Sequence, residues 1–85
     1  MKTKIERKTY NGWANYETWN VALFINNDPL AYSRAVEFMQ DYKGRSPFQD
    51  FVDSYGYLST FDGVLLNDPK ISRRELNSMM RELES

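Results

Sequence analysis

Between Gly12 and Pro29 the chain reads GWANYETWNVALFINNDP, and this stretch limits the fold more than any other. It holds both tryptophans, the longest apolar run, a helix start and a helix stop. Asn15 can accept a hydrogen bond from the free amides of a first helical turn, and Glu17 suits the positive end of the helix dipole. From there Tyr16, Trp19, Leu23 and Asn26 recur at helical spacing, Ala22 and Ile25 widen the stripe, and Val21 and Phe24 place apolar groups on the other sides. The spacing predicts a helix over 16–26, apolar nearly all round and central to the fold, with Trp19 in the core. A buried strand over Val21–Ile25 is the competing reading, and the cap at Asn15 decides for the helix.

Asn27-Asp28-Pro29 closes that helix and opens the next, because Asp28 is a good N-cap and proline fits the first helical position. Leu30, Ala31, Ala35, Val36, Phe38, Met39 and Tyr42 predict an amphipathic helix over 29–42, stopped by a left-handed Gly44. Ser46-Pro47-Phe48-Gln49 reads as a capping box for a helix over 47–55. Phe48, Phe51, Val52 and Tyr55 form its apolar face, Asp50 and Asp53 point elsewhere as solvated polar residues, and it ends at Gly56. A second capping box, Ser72 to Glu75, precedes a stripe of Leu76, Met79, Met80 and Leu83, predicting a helix over 73–84 with Arg81 and Glu82 exposed. Residues 57–68 read as an irregular loop or single helical turn that buries Phe61, Val64 and Leu65, or as a small hairpin about Asp62-Gly63. Asn67-Asp68-Pro69 echoes Asn27-Asp28-Pro29 as reused turn chemistry.

The expected fold is therefore all-α: a compact bundle of about four short helices. A basic N-terminal arm, residues 1–12, carries the turn dipeptide Asn11-Gly12 and precedes a single helical domain, 13–85. At 85 residues there is one domain, and an aromatic share of 15% argues against disorder.

Composition also excludes chemistry. There is no cysteine and no histidine, which removes disulfides, thiolate nucleophiles, Cys/His zinc sites and imidazole catalysis. No Asp/Asn loop has calcium spacing, so no metal site and no cofactor are expected. Serine and threonine lack a histidine partner. Glu17 and Asp62 could act as a carboxylate pair only if the fold joined them. No enzyme activity is expected. No apolar run reaches the length of a membrane span, which points to a cytoplasmic protein.

The residues that remain for binding are Trp13, Tyr16, Glu17 and Asn20, where a tryptophan could stack and Glu17 and Asn20 could hydrogen-bond a ligand. The competing explanation is that Asn15 caps, Glu17 complements the dipole and the tryptophans are core. Net charge is −1, unevenly placed. Lys2, Lys4, Arg7 and Lys8 against Glu6 give the first ten residues +3, and seven basic against eleven acidic residues give the remainder −4. Those four basic residues are the candidate nucleic-acid contacts, opposed by the acidic remainder. Tyr32, Tyr42, Tyr55 and Tyr57 are candidates for partial exposure at a protein interface.

Tyr10-Asn11-Gly12-Trp13-Ala14-Asn15-Tyr16-Glu17-Thr18-Trp19-Asn20-Val21-Ala22-Leu23, followed by Asn27-Asp28, resembles an uncharacterised family of small proteins. That family occurs mainly in phages and in bacterial and archaeal genomes carrying mobile elements. Asp62-Gly63-Val64, Asp68 and Glu75-Leu76 are similar to its C-terminal half, and Phe24 stands where many relatives carry tryptophan. The resemblance implies a genomic setting: a short phage accessory protein acting inside the host. The expected function is non-catalytic, binding a host protein and modulating or inhibiting it, as in host takeover or anti-defence. The alternative is a nucleic-acid-binding regulator using the basic arm. No membrane partner is expected, and a homo-oligomer is compatible with the sequence.

Overall fold

Asn15 starts the first helix as its side chain leads one to expect. In the computed structural model, which describes residues 10–83, its Oδ1 accepts from the Thr18 amide at 2.9 Å and the Thr18 hydroxyl at 2.7 Å. Helix α1 spans Tyr16–Asn27, α2 Pro29–Gln40, α3 Pro47–Tyr55 and α4 Arg73–Leu83. Among the described residues there is no strand, only two isolated bridges. The fold is a small all-α bundle, as expected. Residues 1–9, with the candidate contacts Lys2, Lys4, Arg7 and Lys8, lie outside the described residues, as does Glu84.

Asp28 serves two helices. It ends α1, and its Oδ2 accepts from the Ala31 amide at 2.9 Å to cap α2, with Pro29 at the first helical position. Gly56 ends α3 in the left-handed region at φ 70°. Tyr10 and Trp13 exchange backbone hydrogen bonds across Asn11 and Gly12, whose φ values are 50° and 90°. Two positive φ values in a two-residue loop are what Asn-Gly is suited to.

The core is Val21, Ala22 and Ile25 from α1, Ala35 and Met39 from α2, Phe48, Phe51 and Val52 from α3, and Leu76 and Met80 from α4. Val64, Leu66 and Ile71 complete it from the connecting segment.

Five sequence expectations need correction. The stripe Tyr16, Trp19, Leu23, Asn26 does not face the core. The buried stripe of α1 is Thr18, Val21, Ala22 and Ile25, with Asn20 beside it. Those residues are small or β-branched and fit the seam against the other helices, whereas Trp19 and Tyr16 meet Tyr10 at ring distances of 4.9 and 5.4 Å. Trp19 is thus half-buried under the N-terminal turn. Second, α1 is not central: α2 and α4 each touch all three other helices, while α1 and α3 flank them without meeting.

Third, Gly44 is not the left-handed stop of α2, which ends at Gln40 with Asp41 as its cap. Gly44 is small because the Tyr42 ring crosses it: a Cβ there would stand 2.7 Å from Cζ. The Tyr42 hydroxyl accepts from the Ser46 amide at 2.9 Å and donates to Asp50, closing the loop.

Fourth, the capping boxes form by half or not at all. Ser46 makes no side-chain cap. The Phe48 amide donates instead to Asn77 Oδ1 of α4 at 3.0 Å, and Gln49 turns to Asp53. At α4 the Glu75 amide reaches Ser72 Oγ at 3.3 Å, but the Glu75 carboxylate accepts from the Ala14 amide.

Fifth, residues 57–68 form the small hairpin about Asp62-Gly63, and the burial expected of Phe61 and Leu65 is overturned. Thr60 N donates to Val64 O at 2.9 Å, Leu66 N to Leu58 O at 3.0 Å, and Gly63 closes the three-residue loop at φ 91°. Val64 and Leu66 alternate inward while Leu65 is exposed, and Phe61, expected in the core, stands at the tip.

Candidate functional site

The polar residues of α1 work mainly as ties to the second half of the chain. Thr18 is fully buried. Its hydroxyl donates to Asn15 and accepts from the Ser72 amide at 2.9 Å. Asn15 Nδ2 donates to the Lys70 carbonyl at 2.7 Å, and the Ala14 amide donates to Glu75 Oε1 at 3.0 Å. The start of α1 is thereby fastened to the start of α4.

One turn further along, Asn20 fastens the hairpin. Its side chain is 2% exposed. Oδ1 accepts from the Thr60 hydroxyl at 2.6 Å, and Nδ2 donates to Asp62 Oδ2 at 2.7 Å. The Thr60 hydroxyl in turn accepts from the Val64 amide at 3.2 Å. Each atom of this short network has a partner, as a buried amide requires.

This tie holds the hairpin beside α1 and creates an open groove of about 320 Å³. Its lining is Asn20, Leu23, Phe24, Asn27, Asp28, Pro29, Thr60, Phe61 and Asp62. Phe61 meets Phe24 edge to face, with centroids 5.2 Å apart and planes at 87°. Yet Phe61 is 82% exposed, Leu58 80% and Leu65 56%. Three large apolar side chains of one short hairpin are thus left in water. Asp28 and Asp62 supply the charge of the groove, and no basic residue lines it.

The four predicted site residues are spread apart. Asn20 floors the groove and reaches the Tyr16 hydroxyl only at 3.5 Å. Tyr16 is exposed and joins the ring cluster with Tyr10 and Trp19. Glu17 approaches Lys70 at 4.0 Å. Trp13 packs against the edge of the core and borders a separate hollow with Gly12, Arg74, Glu75, Ser78, Met79 and Glu82. Glu17 and Asp62 thus take different partners, Lys70 and Asn20. Of the four suspected tyrosines, Tyr32 and Tyr55 are exposed and Tyr42 and Tyr57 half-buried. Tyr55 and Tyr57 hold Arg34: its guanidinium lies 5.1 Å from the Tyr55 ring centre and donates to the Tyr57 hydroxyl at 3.1 Å.

Phe61 and Leu58 were missed as site residues. The usable signal was Phe61 directly before Asp62-Gly63, because a residue at a hairpin tip has no sheet neighbour to cover it. Among the described residues no group of three or more acidic side chains could hold a metal ion. Among them, too, no helix is long and apolar enough to cross a membrane.

Groove, exposed hairpin and helical frame together define a small all-α protein with large apolar side chains exposed on its hairpin and two aspartates in its groove. The chain belongs to a family of unknown function, DUF7249, whose model matches residues 6–85. No curated protein and no solved structure matches the chain.

Proposed function

We propose that the protein is non-catalytic and acts by docking on another protein through the Phe61 face. In the fuller form of this reading it is a phage or mobile-element accessory protein, working in the host cytoplasm, that modulates or inhibits a host protein. The observation that carries the docking reading is the exposure of Phe61, at 82%, on a hairpin whose base is fixed by the buried Asn20 network. A preorganised apolar projection loses little freedom on binding, and aromatic side chains are the usual anchors of interfaces. The phage setting is supported by the resemblance carried by Tyr10 to Leu23.

The test is capture from nuclease-treated host lysate by the wild type and by Phe61→Ser with Leu58→Ser. One stoichiometric protein retained by the wild type and lost by the variant is expected, with both proteins unfolding at similar temperatures. Equal capture by the two would overturn the reading. So would salt-sensitive binding to DNA or RNA that disappears on removing residues 1–8, which would transfer the function to Lys2, Lys4, Arg7 and Lys8.

A further inference from the structure

We infer that the groove between α1 and the hairpin receives an arginine side chain of the docked protein. This rests on the Phe61 face being a docking surface, and it names what that surface recognises. Three observations lead there.

The first is charge. Asp28 and Asp62 are the only ionisable residues in the lining, and both are acidic. Asp28 caps α2 through Oδ2, and Asp62 engages Asn20 through Oδ2, so among the described residues each carboxylate spends one oxygen on the fold. A carboxylate has more acceptor capacity than one hydrogen bond uses. Nothing in the lining neutralises the pair, and residues 11–85 as a whole carry −4, so approach of a cation is favoured from outside the groove as well as within it.

The second is the apolar wall. Leu23, Phe24, Pro29 and Phe61 form it. A hydrated ammonium or a metal ion gains little from such a wall. A guanidinium is planar, weakly hydrated and able to stack on a ring face while forking its donors toward carboxylates. Phe61 meets Phe24 edge to face and is otherwise exposed, which leaves ring surface for a cation.

The third is size. At about 320 Å³ the groove is at the small end of ligand sites, suited to one long side chain rather than to a whole cofactor. The same chain shows the pairing internally, where Arg34 packs over Tyr55 and bonds Tyr57. The groove offers an incoming arginine the same ring contact together with the carboxylates that Arg34's aromatic site does not include.

The probe is Nα-acetyl-arginine methylamide, with the citrulline analogue as its neutral isostere, titrated into the folded protein by amide NMR. Arginine is expected to shift Leu23, Phe61 and Asp62 and to bind about fivefold more tightly than citrulline, the gain from two partly exposed ion pairs. In Asp62→Asn, which keeps an oxygen for Asn20, most of that preference should vanish, and added salt should weaken it in the wild type. Equal binding of the two probes, arginine shifts scattered away from the groove, or no arginine binding would overturn the inference. So would shifts of these residues with protein concentration alone, which would put a second copy in the groove. The docking reading is tested separately: a captured protein lost with Phe61→Ser and Leu58→Ser but kept by Asp62→Asn would sink only the arginine assignment.

Discussion

Replacing Asn20 by alanine removes the α1 side chain that hydrogen-bonds to the hairpin, and its cost can be worked from the contacts. The bond between Thr60 and Asn20 Oδ1 joins two neutral groups in the interior, at 2.6 Å, and such a bond contributes about 1 kcal/mol net. The bond to Asp62 is charge-assisted but ends on an exposed carboxylate that water can reclaim, so it adds roughly 1 kcal/mol. The buried Thr60 hydroxyl would keep the Val64 amide as donor but lose its own acceptor, a further loss of about 1 kcal/mol. The sum is about 3 kcal/mol, against a total stability of about 4–13 kcal/mol for a domain of this size. That corresponds to a fall of about 12–24 °C in Tm. Urea unfolding gives the global number, and amide exchange at Thr60 and Leu66 shows whether the hairpin opens before the helices. A loss below about 1 kcal/mol, with those two amides still protected, would refute the reasoning. Burial of Val64 and Leu66 alone would then hold the hairpin.

Two further expectations can be checked on the same footing. Trp19→Ala should cost about 1–2 kcal/mol, and Phe51→Ala about 3–5 kcal/mol, because only the second ring is fully enclosed; equal losses in urea would return Trp19 to the core. Tyr42 titrates above the ordinary tyrosine value because burial disfavours its phenolate, and its hydrogen bond to Asp50 adds to this. Its contribution to stability is therefore present below the ordinary tyrosine pKa and is lost as pH rises through the raised one. Phenolate absorbance should show a late-titrating component that disappears in Tyr42→Phe, and the variant should lose less stability at alkaline pH; an unchanged alkaline profile would contradict this.

What could be read from the sequence was whatever depends on near neighbours. Asn15 caps from three residues away, Asp28-Pro29 separates two helices, and Gly56 ends a third, because a cap is settled within one turn of backbone. The stripe of Leu76, Met79, Met80 and Leu83 was equally plain: Leu76 and Met80 are buried, and Met79 and Leu83 pack against the core beside them. The misreadings turn on where a side chain finds its partner in space, most often far along the chain. Which side of α1 faces inward depends on Tyr10 arriving over Trp19 by way of the Asn11-Gly12 turn. Gly44 reflects the path of the Tyr42 ring, and the first turn of α3 is satisfied by Asn77, 29 residues beyond Phe48. The groove was invisible for the same reason. Asn20 meets its hairpin partners 40 and 42 residues away, and the apolar run around Val64 was too short to show its alternation alone.

The fastening of α1 to the start of α4 has a consequence for how the chain folds. The Ala14–Glu75 bond spans 61 residues, and the Thr18–Ser72 and Asn15–Lys70 bonds span 54 and 55. Closing a loop of that length costs about 3–4 kcal/mol in chain entropy before any of these bonds repays it. The three closures share one cost, because the first to form brings the other two into range. Helix α1 therefore gains its full set of partners only when residues 70–75 arrive, which makes the two ends of the domain a single cooperative unit. A fragment of residues 10–69 retains every residue of three helices and is expected to stay largely unfolded by circular dichroism. A stably helical fragment would show that the long-range clasp fastens a bundle already formed.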